Sequence, residues 1–225
     1  MTKMGEIIKN ELKFSELLLT RFTHDIAGSV SAVSNGIDFL MENKDSDDAG
    51  SIEIKNQAVD IIEESAHQSL ARLQAYRTAY GIVYKADSVT MISELADIFK
   101  RYFNKSQIEL RWNSSVPPEI PANVRQVLSC MILVMSKIMI YGAKASVSFS
   151  GENKNIITVK AHQHKIKDPT LMKAILNSDS DVLLDVENII YFFTKRIAKA
   201  ANANLELNVD EESEEKQMEL KLTLP

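Results

Sequence analysis

Two long apolar stripes in the first eighty residues leave this chain little choice of architecture. Leu19, Phe22, Ile26, Val30, Val33, Ile37 and Leu40 recur at steps of three or four, which marks one face of a helix. The pattern predicts a helix over residues 7–43, stopped by the polar, acidic segment 44–51. A second helix is predicted over 52–80, with Ala58, Ile61, Ile62, Ser65, Ser69, Leu73, Tyr76 and Tyr80 near one face and Gly81 placed to end it. Two antiparallel helices with one stripe each cannot enclose a core between themselves. Two such hairpins packed as a four-helix bundle can, so a homodimer is expected.

The pattern changes after the hairpin. A connecting helix is expected over 88–103 and an alternating strand over 108–112, ended by Val116-Pro117-Pro118. Residues 121–141 read as a strongly apolar helix with Pro121 in its first turn. A hairpin over 145–150 and 156–161 turns around 151–154. Helices over 169–176 and 186–201 follow, then a last hairpin over 205–209 and 218–222. This order predicts an α+β chain. Residues 1–84 form a helical dimerisation hairpin, and 85–225 an α/β sandwich whose single sheet is covered by helices on one face.

Charge and composition narrow the function. The formal net charge is −5, with no basic stripe to neutralise phosphates, so nucleic acid is not an expected partner. No apolar run approaches the ~20 residues needed to cross a bilayer, and the first residues lack the layout of a signal peptide. The expectation is a cytoplasmic protein with no membrane contact. The single cysteine, Cys130, sits in an apolar run and reads as buried filler.

At roughly 100° per residue, His24 lies about 170° from the middle of the first stripe. Gly28, Ser31 and Asn35 continue its column, all small or polar. A surface helix normally fills its outer face with Lys and Glu. Here the imidazole is left without bulk beside it, as required if another protein's active site must close over it. Asp25 stands 100° round the helix, where it can orient one ring nitrogen or pair with Arg21 four residues earlier. Folding the hairpin about its loop brings Arg72 and Arg77 near the height of His24, as phosphoryl or partner contacts or as structural pairs.

His24-Asp25 followed by Ala32-Val33-Ser34-Asn35-Gly36-Ile37-Asp38-Phe39-Leu40 resembles the phospho-accepting helix of the ChpT-type histidine phosphotransferases. The similarity extends to Ala71-Arg72-Leu73-Gln74-Ala75-Tyr76-Arg77-Thr78-Ala79-Tyr80-Gly81, and more weakly to Val124-Arg125-Gln126-Val127-Leu128. The resemblance implies a dimer built from a kinase-like helical hairpin and a degenerate kinase-ATPase-like domain. It implies a phosphorelay intermediate in which His24 accepts a phosphoryl group from the receiver domain of a hybrid histidine kinase and passes it to response regulators. Asp25 is the expected support, and Arg21, Gly28, Ser31, Asn35, Arg72 and Arg77 the expected partner-binding residues. Mg²⁺ would come with the receiver. One departure stands out: Gly28 and Ser29 replace the polar residue and proline common four and five positions after the histidine, so phosphatase activity is not expected.

A kinase of that architecture carries an Asn for magnesium on its central helix, then glycine-rich loops that approach the phosphates. No glycine follows Gly151 in this chain. His162-Gln163-His164-Lys165-Ile166-Lys167-Asp168-Pro169 stands where the first loop would be, and Ser136-Lys137-Ile138-Met139 carries no Asn. No nucleotide is expected to bind. His162 and His164 lack a third ligand at suitable spacing, so no metal is expected either. His67 and the acidic runs 45–48 and 210–215 read as solvated surface. Two other classes stay open: an ATP-dependent kinase with an unorthodox nucleotide site, and a catalytically silent dimeric scaffold for response regulators.

Overall fold

The computed structural model describes residues 3–46, 48–81, 88–177, 182–210, 212 and 216–225. The expected boundary between 84 and 85 lies outside the described residues. Helix α1 (Lys3–Glu42) and helix α2 (Ala49–Tyr80) form the antiparallel hairpin. Asp48 caps α2 by accepting from the Ser51 backbone N–H at 3.1 Å and from its hydroxyl at 2.6 Å. The helices approach closely where Gly36 faces Ala58: a Cβ at Gly36 would lie 2.6 Å from Cγ1 of Ile62 and 3.2 Å from the Ala58 carbonyl oxygen. Phe22 fixes the rotation of α1, its ring 5.4 Å from Tyr76 and 4.5 Å from Tyr80.

The remainder runs β1 (Val89–Met91), α3 (Ile92–Phe103), β2 (Glu109–Trp112), β3 (Glu119–Pro121), α4 (Ala122–Met135), β4 (Lys144–Ser150), β5 (Ile156–Gln163), α5 (Thr170–Asn177), α6 (Ile189–Ala200), β6 (Asn204–Asp210) and β7 (Lys216–Thr223). Five strands make one mixed sheet in the order β2-β4-β5-β7-β6, with β2 and β4 parallel and the other pairs antiparallel. Val147 pairs with Val159, and Val159 with Leu220, so one face is lined by Ala145, Val147, Ile157, Val159, Ala161, Leu220 and Leu222. Helix α4, buried almost throughout, covers that face.

Two expectations are corrected. The predicted helix over 88–103 begins as strand β1, which pairs antiparallel with β3 in a separate two-stranded ribbon. The helix expected to reach residue 141 ends at Met135. There Ser136, Lys137 and Ile138 turn back onto the carbonyls of Ile132, Val134 and Met135. The first stripe is only partly buried within one chain: Leu19, Val30 and Ile37 are exposed, as are Ile61 and Leu73 on α2.

The hairpin packs on the sandwich through a shared core. Phe14 of α1 and Ala75 and Ala79 of α2 join α3, α4 and α6. The Phe14 ring stacks 6.4 Å from Phe193 beneath the Arg196 guanidinium. Cys130 is buried, and its thiol donates to the Ala79 carbonyl at 3.2 Å. No helix among the described residues is long and apolar enough to cross a membrane.

Candidate functional site

His24 projects outward from the middle of α1, its side chain 78% exposed. The cause is helical phase. Phe22 packs on Tyr76 and Tyr80 while Arg21, Asp25 and Ser29 turn toward α2 and the sandwich, which leaves position 24 to solvent. Gly28, Ser31 and Asn35 are exposed in the same column, and a Cβ built on Gly28 would meet nothing within 4 Å. The imidazole therefore has an open approach along one helix face.

Asp25 is partly buried and splits its two oxygens between different tasks. Oδ2 accepts from the Tyr76 hydroxyl at 2.7 Å and from Nε of Arg21 at 3.0 Å, with Nζ of Lys137 at 3.5 Å. Oδ1 faces Nδ1 of His24 at 3.7 Å, longer than a hydrogen bond but on the right side of the ring. Its backbone carbonyl accepts from Nη1 of Arg72. Burial acts to raise the Asp25 carboxyl, but Lys137, Tyr76 and Arg21 outweigh it and hold the group below the usual carboxylate range. At neutral pH the residue beside the histidine is a fixed anion.

The expected residues divide. Arg21, expected on the partner-binding surface, is buried: it bonds Asp25 and, through Nη1, Oε2 of Glu187 at 3.0 Å. A guanidinium held between two carboxylates is not presented to a partner. Arg72 reaches the base of the site, as a structural contact to the Asp25 backbone. Arg77 is turned about 140° from Arg72 around α2. It lines a groove with Thr78, Gly81, Thr90, Glu94 and Arg125, on the α3 side of the hairpin.

Two residues that sequence reasoning left without a role belong to the site. Tyr76 lies within the resembling segment but was read only as part of the apolar face; its half-buried hydroxyl, held above its ordinary pKa by desolvation, donates to Asp25. Lys137 is the only charge within the apolar run 127–140, a cation that needs a partner if that run is buried. Its carboxylate partner stands 112 residues earlier in the chain.

The segment 162–169 is stitched shut. The Gln163 amide accepts from the Ile140 N–H at 3.0 Å and donates to the Ile138 carbonyl at 3.1 Å, and the Lys167 N–H donates to the same carbonyl at 3.2 Å. No loop of glycines is available there to wrap a phosphate. Among the described residues, no group of three metal-binding side chains gathers around His162 and His164.

Removing the Asp25 carboxylate leaves Arg21, Lys137 and Tyr76 short of an acceptor. Asp25→Ala should therefore cost about 3 kcal/mol in urea unfolding at pH 7. Because the folded carboxyl titrates below its unfolded value of about 3.9, this stabilisation is complete above that pH. It fades as pH falls through the folded value, so the difference between the wild type and Asp25→Ala should narrow progressively as pH is lowered below about 3.9. A constant difference between them across that range would contradict the assignment.

Comparison with known proteins finds similar chains. The family described as "Histidine phosphotransferase C-terminal domain" matches residues 92–213. The chain is 24% identical over 204 residues to "Protein phosphotransferase ChpT" of Brucella abortus (strain 2308), covering 89% of this chain and 92% of that protein. A solved structure of a bacterial phosphotransferase superposes with a TM-score of 0.73 at 20% identity, over 93% of this chain and 96% of the other.

Proposed function

This chain belongs to the histidine phosphotransferase family, of the ChpT type, and from that premise we propose that His24 is its phosphoryl acceptor in a histidine–aspartate phosphorelay. The observation that carries the reading is the pairing of an open imidazole with a fixed carboxylate on its Nδ1 side. With the proton on Nδ1, facing Asp25, the Nε2 lone pair points to solvent. A receiver domain docks along the column of Gly28, Ser31 and Asn35 and presents its aspartyl phosphate in line. Nε2 attacks phosphorus, the N–P bond forms, and the P–O bond to the receiver aspartate breaks with its electron pair leaving on that carboxylate. The ring, still protonated on Nδ1, becomes cationic, and Asp25 supplies the matching charge. The reverse sequence delivers the group to a second receiver. Mg²⁺ belongs to the receiver, where it neutralises the phosphoryl oxygens.

The donor is the receiver domain of a hybrid histidine kinase, and the acceptors are response regulators in the cytoplasm. Incubation with a receiver carrying radiolabelled aspartyl phosphate should place acid-labile, base-stable label on this chain. A chain that stays unlabelled while the receiver remains competent toward another phosphotransferase would overturn the proposal.

Two properties accompany it. The exposed apolar residues Leu19, Val30 and Ile37 of α1 and Ile61 and Leu73 of α2 support a homodimer through a four-helix bundle. Light scattering at micromolar concentration should return the mass of a dimer; a folded, helical monomer would sink this reading. The closed segment 162–169 and the lack of glycine after Gly151 support a unit that binds no nucleotide. Calorimetry with millimolar Mg-ATP or ADP should show no saturable heat. Saturable binding lost on altering 162–168 would revive the kinase reading.

A further inference from the structure

A sandwich that holds no nucleotide still has something to contribute to the acceptor histidine. Two of its charges cross to the hairpin and clamp the Arg21–Asp25 pair of α1 from either end. Lys137, on the turn after α4, stands 3.5 Å from Asp25, and Glu187, ahead of α6, stands 3.0 Å from Arg21. The result is an alternating row, Lys137–Asp25–Arg21–Glu187, whose inner members come from one unit and outer members from the other. Lys137 and the imidazole sit on opposite oxygens of one carboxylate: Nζ on Oδ2 and Nδ1 on Oδ1.

We infer that Lys137 is a positioning residue for phosphoryl transfer: it holds the Asp25 carboxylate so that the negative charge of Oδ1, 3.7 Å from Nδ1, favours the His24 proton on that nitrogen and leaves Nε2 bare. This rests on His24 being the acceptor, and it gives the sandwich a role at the acceptor that needs no nucleotide. The geometry favours positioning over bulk stability. The Lys137 side chain is 27% exposed in the wall of an open cleft of about 480 Å³, and its ion pair is the longest of the three contacts to Oδ2. Tyr76 and Arg21 already satisfy that oxygen, so the added cation chiefly biases where the carboxylate points and how much charge Oδ1 offers. Arg72 alone cannot replace it, since that guanidinium binds the Asp25 backbone carbonyl.

The charged and titratable groups around Lys137 are Asp25 and Arg21 from α1, Arg72 and Tyr76 from α2, Tyr102 from α3, Lys105, Tyr141 and Lys167 in the lining of the cleft, and Glu187. Burial pushes the ammonium below the ordinary lysine range against the pull of Asp25, whereas burial holds both tyrosines above theirs. Burial thus moves the lysine toward its neutral form at lower pH and the two tyrosines toward theirs at higher pH.

The test combines imidazole ¹⁵N NMR of the full chain with transfer from a labelled phospho-receiver. In the wild type, the neutral His24 ring should be mainly the Nδ1–H tautomer. That preference should weaken as pH rises through the lysine range. Lys137→Gln should weaken it already at pH 8 and slow transfer about tenfold, with KM for the receiver little changed; Lys137→Arg should restore both. Wild-type-like tautomer and rate in Lys137→Gln would overturn the inference. So would a wild-type tautomer ratio that stays flat to pH 11, a measurement that does not depend on any variant folding. Failure of the acceptor assignment itself looks different: the wild type then takes no label at all.

Discussion

His24→Ala should accept no phosphoryl group from a phospho-receiver and should unfold at the wild-type urea concentration. Both halves follow from exposure. In the proposed relay the imidazole is the nucleophile, and alanine offers no lone pair, so label should fall to background rather than to a reduced rate. The side chain is mostly in solvent and its one close charge, Asp25 Oδ1, lies beyond hydrogen-bond reach, so its removal should change stability by under about 0.5 kcal/mol. The contrast with Asp25→Ala, one residue away, is the useful part. Substitution at 24 should remove transfer and leave stability, while substitution at 25 should remove stability. Acid-labile label on His24→Ala would rule out the assignment.

Gly28→Arg should produce the second large effect. In the proposed docking a receiver lies against the column that begins at His24 so that its aspartate reaches Nε2 in line, and one helical turn on, the surface is bare. A misplacement of ~1 Å between reacting atoms already costs about 100-fold, and an arginine chain in the docking face imposes more than that. Transfer should drop at least that far. The fold should not suffer, since a Cβ at Gly28 meets nothing within 4 Å and replacing glycine in a helix interior gains about 0.8 kcal/mol. Gly28→Ala is the control: it should be as stable or more so and should transfer normally. A Gly28→Arg protein that transfers at the wild-type rate would move the docking face elsewhere.

The helix face was legible because it depends on one period only. Once Phe22 and Ile26 are assigned inward, positions 24, 28, 31 and 35 must point away, and the chain obeys. The sheet was legible for a similar reason, since alternation over 145–149, 157–161 and 218–222 marks a buried face by itself. The β1–β3 ribbon was not, because three residues per strand carry too little alternation to compete with the helical pattern beside them. The end of α4 was hidden as well. No glycine or proline marks it, and the turn over 136–140 is held by Gln163, a tertiary contact. Arg21 and Lys137 were misread or passed over for the same cause: the carboxylate of Glu187 and that of Asp25 lie far off in sequence. Local spacing showed that Arg21 can pair with Asp25; it did not show that a second unit would bury the pair.

The chain has four histidines, at 24, 67, 162 and 164. The most direct measurement follows their imidazole resonances before and after addition of a phosphorylated receiver with Mg²⁺. Only the His24 ring should acquire a phosphorus coupling, at Nε2, while the others keep their positions. Coupling on His67, His162 or His164, or at Nδ1 of His24, would contradict this assignment.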